Sequence, residues 1–202
     1  KDGPVTIDIL DPTGGTNRVI RHFSSEDADE PLVPLDERNI PDHWIRPQQK
    51  VAATPGLHRF IWDLRLPRPA ADTFAYPISA ISGYTPKEPR GALVLPGAYV
   101  IRMTVNGRTF AQGLTVKMDP RVKTSTADLT LQFTLSKKLS DLMQQLVDAK
   151  KKGANAAIDA AYAPLTDLFV RLQDADVRPT AAVEAAATAA IARAEAALAA
   201  IK

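Results

Sequence analysis

Apolar residues alternate with polar ones along the first 120 residues and recur every three to four residues thereafter. Val5, Ile7 and Ile9 share one side of an extended run, and residues 18–23 alternate again after the turn signal Asp11-Pro12-Thr13-Gly14-Gly15. That pattern predicts a β-hairpin. Residues 56–64, Gly-Leu-His-Arg-Phe-Ile-Trp-Asp-Leu, place His58, Phe60, Trp62 and Leu64 on one face and Leu57, Arg59, Ile61 and Asp63 on the other. So bulky a set at period two predicts a central strand of a β-sandwich. A second hairpin follows. Tyr99, Ile101, Met103 and Val105 lead into Asn106-Gly107, the signal for a type I′ turn, and residues 108–118 return. Phe110, Leu114, Val116 and Met118 are expected to point inward, with Gly113 as the site of a bulge. Between these runs lie two proline-rich connections, 24–55 and 65–96, with room for a short edge strand near residues 32–35.

From residue 120 the period changes. Ser125, with Asp128 three residues on, fits a capping box ahead of a helix whose stripe is Leu135, Leu139, Leu142, Met143 and Leu146. Lys150-Lys151-Lys152-Gly153 reads as its end, the cations complementing the dipole and the glycine taking a left-handed position. Asn155 is placed to cap a second helix carrying Ile158, Tyr162, Leu165, Phe169 and Leu172, which Pro164 is expected to kink or split. Pro179-Thr180 opens a third, with Val183, Ala187, Ile191, Ala194, Leu198 and Ile201 along one side.

Composition divides the chain at the same place. Fourteen of the 16 prolines lie at or before Pro120, and alanine dominates residues 181–200. Strands first and helices afterwards point to an α+β class, with an antiparallel immunoglobulin/fibronectin-like sandwich over 1–121 and a two- or three-helix antiparallel tail over 122–202. The 202 residues carry a net charge of +2, too little for the basic face that nucleic-acid binding needs. There are no cysteines, hence no disulfides or thiolate metal sites, and no apolar run long enough to span a membrane. The opening Lys1-Asp2-Gly3-Pro4, without an initiator Met or a signal-peptide core, suggests a fragment or a processed product.

Chemistry is sparse. Ser82-Gly83 lacks the flanking pattern of a serine nucleophile, and His22, His43 and His58 are too isolated to suggest a zinc site. Asp63 and Asp119 are the carboxylates to name for glycosidase-type catalysis, each two residues before an arginine, Arg65 and Arg121. The preferred reading is that these pairs tie loops down. Residues 25–30 offer oxygens but lack the spacing of a calcium loop. Trp44, Phe74, Tyr76 and Tyr84 are either loop anchors or, if clustered on one edge, a platform for sugar rings or a protein partner. No cofactor or metal is expected.

Three segments carry a family resemblance: Gly56-Leu57-His58-Arg59-Phe60-Ile61-Trp62-Asp63-Leu64-Arg65, then Pro96-Gly97-Ala98-Tyr99-Val100-Ile101-Arg102-Met103-Thr104-Val105-Asn106-Gly107, then Leu114-Thr115-Val116-Lys117-Met118-Asp119-Pro120-Arg121. Together they resemble the C-terminal region of bacterial exported proteins with sortilin-like or Asp-box (BNR-type) β-propellers, often described as glycosyl-hydrolase-like. The resemblance implies an immunoglobulin-like domain similar to that of flagellar hook-capping proteins, then a helical tail with a Pro-Thr helix start. It casts Phe60, Trp62, Asp63, Arg65, Asp119 and Arg121 as structural. The sequence contains no Asp-box repeats, so the propeller, where glycosidase-like chemistry would sit, is not part of it. The expected role is a non-catalytic docking or assembly module of an exported protein, periplasmic, cell-surface or secreted. Its partners would be a propeller, a second copy or an envelope protein. The alternative is a carbohydrate-binding accessory domain.

Overall fold

In the computed structural model, which describes residues 3–71, 73–78, 81–153 and 156–200, the chain is α+β. Thr6–Asp11 (β1) and Arg18–Ser24 (β2) form the first hairpin, with a bulge in their register between Ile9 and Leu10. Gly97–Val105 (β3) and Arg108–Val116 (β4) form the second. Asn106 and Gly107 take φ of 48° and 74°, the left-handed pair a type I′ turn requires, so β3 and β4 pair without a register shift from Val105↔Arg108 to Gly97↔Val116. β1 and β3 join the hairpins into one antiparallel sheet of order β2-β1-β3-β4.

Two expectations fail on this sheet. Gly113 pairs with Val100 in regular register instead of forming a bulge. Phe110, expected inward, is 54% exposed, and no residue of the edge strand β4 is fully buried.

The larger correction concerns residues 56–64, which form no strand. Gly56 at φ 129° and Leu64 at φ 57° bound an irregular stretch outside the sheet's ladder. Its period-two pattern is kept only in part: Phe60 and Trp62 are half-buried, whereas His58 and Leu64, expected on the same face, are exposed. Phe60 sets its ring edge-on to Phe23 of β2 at 4.8 Å, and Trp62 does the same to Tyr99 of β3 at 5.8 Å. Residues Ile7, Phe23, Met103 and Phe110 lie opposite one another in register, as do Ile9, Arg21, Ile101 and Gln112, so they share one face of the sheet. Tyr99 is on that face too, and it is the face that Phe60 and Trp62 cover.

The long connection after β2 is not a solvated loop: Val33, Ile40, Ile45 and Val51 are buried. Near residues 32–35 there is a 3-10 turn, Leu35–Glu37, in place of an edge strand.

Three helices follow: Thr126–Lys152 (α1), Ala156–Gln173 (α2) and Ala181–Ala199 (α3), each packed on the other two. Ser125 caps α1, its hydroxyl accepting the Asp128 amide and donating to the Asp128 carboxylate at 2.6 Å. Gly153 ends α1 in an extended conformation, φ 171°, not the left-handed one; its amide reaches the carbonyls of Ala149 and Lys150. Pro164 is accommodated within a continuous α2. The expected cap Asn155 and the stripe residue Ile201 lie outside the described residues. Leu139, Leu142, Met143, Leu146, Ile158, Leu165 and Phe169 make the core, each large side chain stabilising the fold by about 1.5–3 kcal/mol. The buried side of α3 is Ala187, Ala190, Ala194 and Ala197, small residues that leave room for a neighbouring helix, while Ile191 and Leu198 are only half-buried. No helix among the described residues is long and apolar enough to cross a membrane.

The chain divides into two compact units. The sheet unit holds residues up to Pro67, Tyr76–Lys87 and Pro96–Met118. The helical unit holds Arg68–Ala75, Glu88–Leu95 and the chain from Asp119 onward. The boundary expected after residue 121 therefore falls after Met118, and two upstream segments also belong with the helices. Hydrogen bonds explain their membership: Leu93 donates its amide to Gln173 Oε1 at 2.9 Å, and the Tyr162 hydroxyl donates to the Ala70 carbonyl at 3.0 Å.

Candidate functional site

The four aromatic residues singled out in the sequence do not form one platform. Tyr76 is buried in the sheet unit. Phe74 belongs to the helical unit, half-buried, with the Arg68 guanidinium 5.6 Å from its ring centre. Trp44 and Tyr84 lie on two loops of the sheet unit that are bound backbone to backbone. Thr85 donates to the Trp44 carbonyl at 3.0 Å, Arg46 to the Thr85 carbonyl at 2.8 Å, and Gly83 to the His43 carbonyl at 2.9 Å. The Ser82 hydroxyl adds a bond to the same His43 carbonyl. On this clamped frame Trp44 is half-buried, whereas Tyr84 is 63% exposed with the Arg46 guanidinium 5.1 Å from its ring centre. Ile78 and Ile81 are exposed in the same segment. Loops bonded to one another in this way present Ile81 and Tyr84 at the surface of the sheet unit.

The other face of the sheet carries a charged row that sequence inspection missed. Asp8 lies opposite His22 on β2 and Arg102 on β3. His22 Nδ1 sits 2.6 Å from one carboxylate oxygen, and Arg102 donates to the other through Nε at 3.1 Å and Nη2 at 2.8 Å. Burial works against the Asp8 charge, but the hydrogen bonds from His22 and Arg102, reinforced by their charges, hold its carboxyl below the ordinary range. An ionised carboxylate can only accept, so Nδ1 carries the proton. Two ends of the row meet solvent, since the His22 and Arg102 side chains are 55% and 40% exposed. The clue was present in the sequence, as polar residues at even spacing within apolar strands, but register alone shows that they are opposite.

The remaining candidates are engaged locally. Asp63 accepts the Arg65 amide at 3.2 Å, while Trp62 Nε1 donates to the Arg65 carbonyl at 3.0 Å; together they pin both backbone groups of a buried arginine. Asp119 accepts from the amide, Nε and Nη2 of Arg121, and those bonds lower its pKa. In the acidic stretch, Asp27 accepts the Ser24 amide, Asp29 pairs with Lys50 and Glu30 with Lys87. His58 Nε2 donates to the Thr54 carbonyl at 2.7 Å, and the His43 ring stands edge-on to Trp44. Among the described residues no group of three histidine, aspartate or glutamate side chains could hold a metal ion.

Comparison with protein-family models, with curated proteins and with solved structures finds no match. The arrangement offers exposed apolar side chains, a hydrogen-bonded pair of aromatic loops and carboxylates already bonded to their neighbours.

Proposed function

We propose that the chain is a non-catalytic docking or assembly module of an exported bacterial protein, binding other protein surfaces through its sheet unit. The distribution of exposed large apolar side chains carries this reading. Among the described residues, Leu57, Ile61, Ile78, Ile81, Tyr84 and Phe110 all belong to the sheet unit, whereas the helical unit exposes only Val170 and Val177. Apolar exposure concentrated in one unit favours that unit as the one that meets a partner. The resemblance of residues 56–65, 96–107 and 114–121 to the region after sortilin-like propellers supports the exported setting. It also supports reading the sheet, with residues 56–65 laid across one face, as an immunoglobulin-like sandwich of the hook-capping type. That Asp63 and Asp119 are each bonded two residues along the chain favours a structural role for both.

Hydrogen exchange of the chain alone and in a soluble bacterial envelope fraction tests the proposal. Protection of residues 78–85 or 108–116 by a bound protein is the expected result. Unchanged exchange, with a monomer in every condition, overturns it, as does glycoside turnover that Asp63→Asn abolishes in a folded protein. A carbohydrate-binding role is favoured by one observation, the exposed Tyr84 ring on clamped loops. Calorimetric titration with soluble glycans, lost in Tyr84→Ala, is its test.

A further inference from the structure

We propose that β4 pairs with β4 of a second copy of this chain, antiparallel about a two-fold axis at Gln112. The inference rests on the docking reading and names the partner and the register.

A type I′ turn closes on a hydrogen-bonded pair, Val105 with Arg108, and hydrogen-bonded pairs alternate from there. Residues 108, 110, 112, 114 and 116 therefore direct their backbone groups toward β3. Thr109, Ala111, Gly113 and Thr115 direct theirs outward, where the ordering of the sheet ends. Among the described residues the one bond to these outward groups is a long one, from the Gln112 side-chain amide to the Gly113 carbonyl at 3.5 Å.

Sheet edges are ordinarily guarded by charges, prolines or bulges. The β2 edge follows that rule, with Arg18, Arg21 and a bulge. β4 does not. From Thr109 to Val116 it has no charge and no proline, its register is unbroken, and the four residues facing outward are small.

A second β4 satisfies this edge over its whole length. Gln112 is the midpoint of Arg108–Val116, so antiparallel self-pairing centred there aligns all nine residues. Thr109 then bonds with Thr115 of the second copy and Ala111 with Gly113, joining only outward-facing groups. Phe110 lies across from Leu114 of the second copy, covering an exposed ring, and Gln112 meets its own counterpart. Arg108 is opposite Val116, so no like charges are opposed within the paired strands. The paired edge is a small interface, so the dimer is expected to be weak and concentration-dependent.

The absence of native cysteines makes the register testable. Facing residues of a non-hydrogen-bonded pair lie about 4.5 Å apart at Cα, within disulfide reach. Sedimentation of the wild-type chain should show a concentration-dependent dimer of the 21.8 kDa chain. Gln112→Cys should form a disulfide-linked dimer under mild oxidation, and Phe110→Cys should not, its two copies being four residues out of register. Gly113→Lys, where an added side chain meets nothing within 4 Å, should weaken the dimer at least tenfold and leave the circular dichroism spectrum unchanged. A chain monomeric at all concentrations, or a dimer indifferent to Gly113→Lys or linked through Phe110→Cys alone, overturns the proposal. If the chain is monomeric but residues 78–85 are protected by an envelope protein, self-pairing falls and the docking reading stands. If neither occurs, both fall.

Discussion

Asp8 shows how much one side chain can fix in a sheet. It accepts from strands on both sides, so its ionised form holds β2, β1 and β3 in register. Its pKa is lowered from 3.8 in the fold. A depressed carboxylate contributes stability that is fully present above the unfolded pKa and is lost as pH falls through the folded one. Urea midpoints at pH 7, 5 and 3 should therefore drop toward the acid end, and less steeply in Asp8→Asn. At pH 7 that substitution should cost about 1–2 kcal/mol, discounted because both partners are partly screened by solvent. A midpoint unchanged at neutral pH would make the row ornamental. Ser125 is a second residue with a readable role. Losing its cap in Ser125→Ala should cost about 1 kcal/mol, with Ser125→Asp retaining most of it, as measured by denaturant unfolding of the helical signal.

Residues 56–65 carry the lesson at the scale of elements. Trp62→Ala removes a ring packed on Tyr99 and an indole donor to the Arg65 carbonyl, and should cost about 2–3 kcal/mol in urea unfolding followed by far-ultraviolet circular dichroism. Leu57→Ala, at a fully exposed position, should cost less than about 0.5 kcal/mol. Equal losses would mean that the segment does not rest on the sheet through alternate side chains. That alternation was legible in the sequence and its cause was not. At Phe60 and Trp62 period two marks side chains turned toward a packing surface although the backbone joins no ladder, and His58 and Leu64, exposed, do not follow it. The hairpins were legible because turn chemistry is local: Asn106-Gly107 specifies both conformation and register. The helical core was legible along α1 and α2, whose large residues recur at helical spacing. Along α3 the pattern misled, since the buried side is alanine, a residue that also fills exposed helix positions. The Asp8 row and the union of the 41–46 and 81–85 loops were hidden because each depends on contacts between residues far apart in the chain.

At the scale of the molecule, the chain passes repeatedly between its two units. Residues 68–75 and 88–95 leave the sheet unit, join the helical one and return before β3 begins. They bring buried Ala92 and Val94, and the bonds Leu93 to Gln173 and Ala70 to Tyr162. A helical piece beginning at Asp119 lacks all of these. Gln173 and Tyr162 then lose these backbone partners, and the apolar burial that goes with Ala92 and Val94 is lost. The two hydrogen bonds and the lost burial together come to roughly 2–4 kcal/mol. For a unit of this size that is a fall of roughly 10 °C or more in melting temperature. The measurement compares the helical melt at 222 nm in the full chain with that of residues 119–202, each at matched concentration. A piece that melts where the full chain does would show that the helices stand alone and that the upstream segments are passengers. A piece that melts lower, restored when residues 68–95 are added back by a flexible linker, would establish that the unit is assembled from three stretches of sequence. In that case a cut drawn at the change from proline-rich to alanine-rich sequence divides a folded unit, and any truncation meant to isolate the sheet unit must keep the helices.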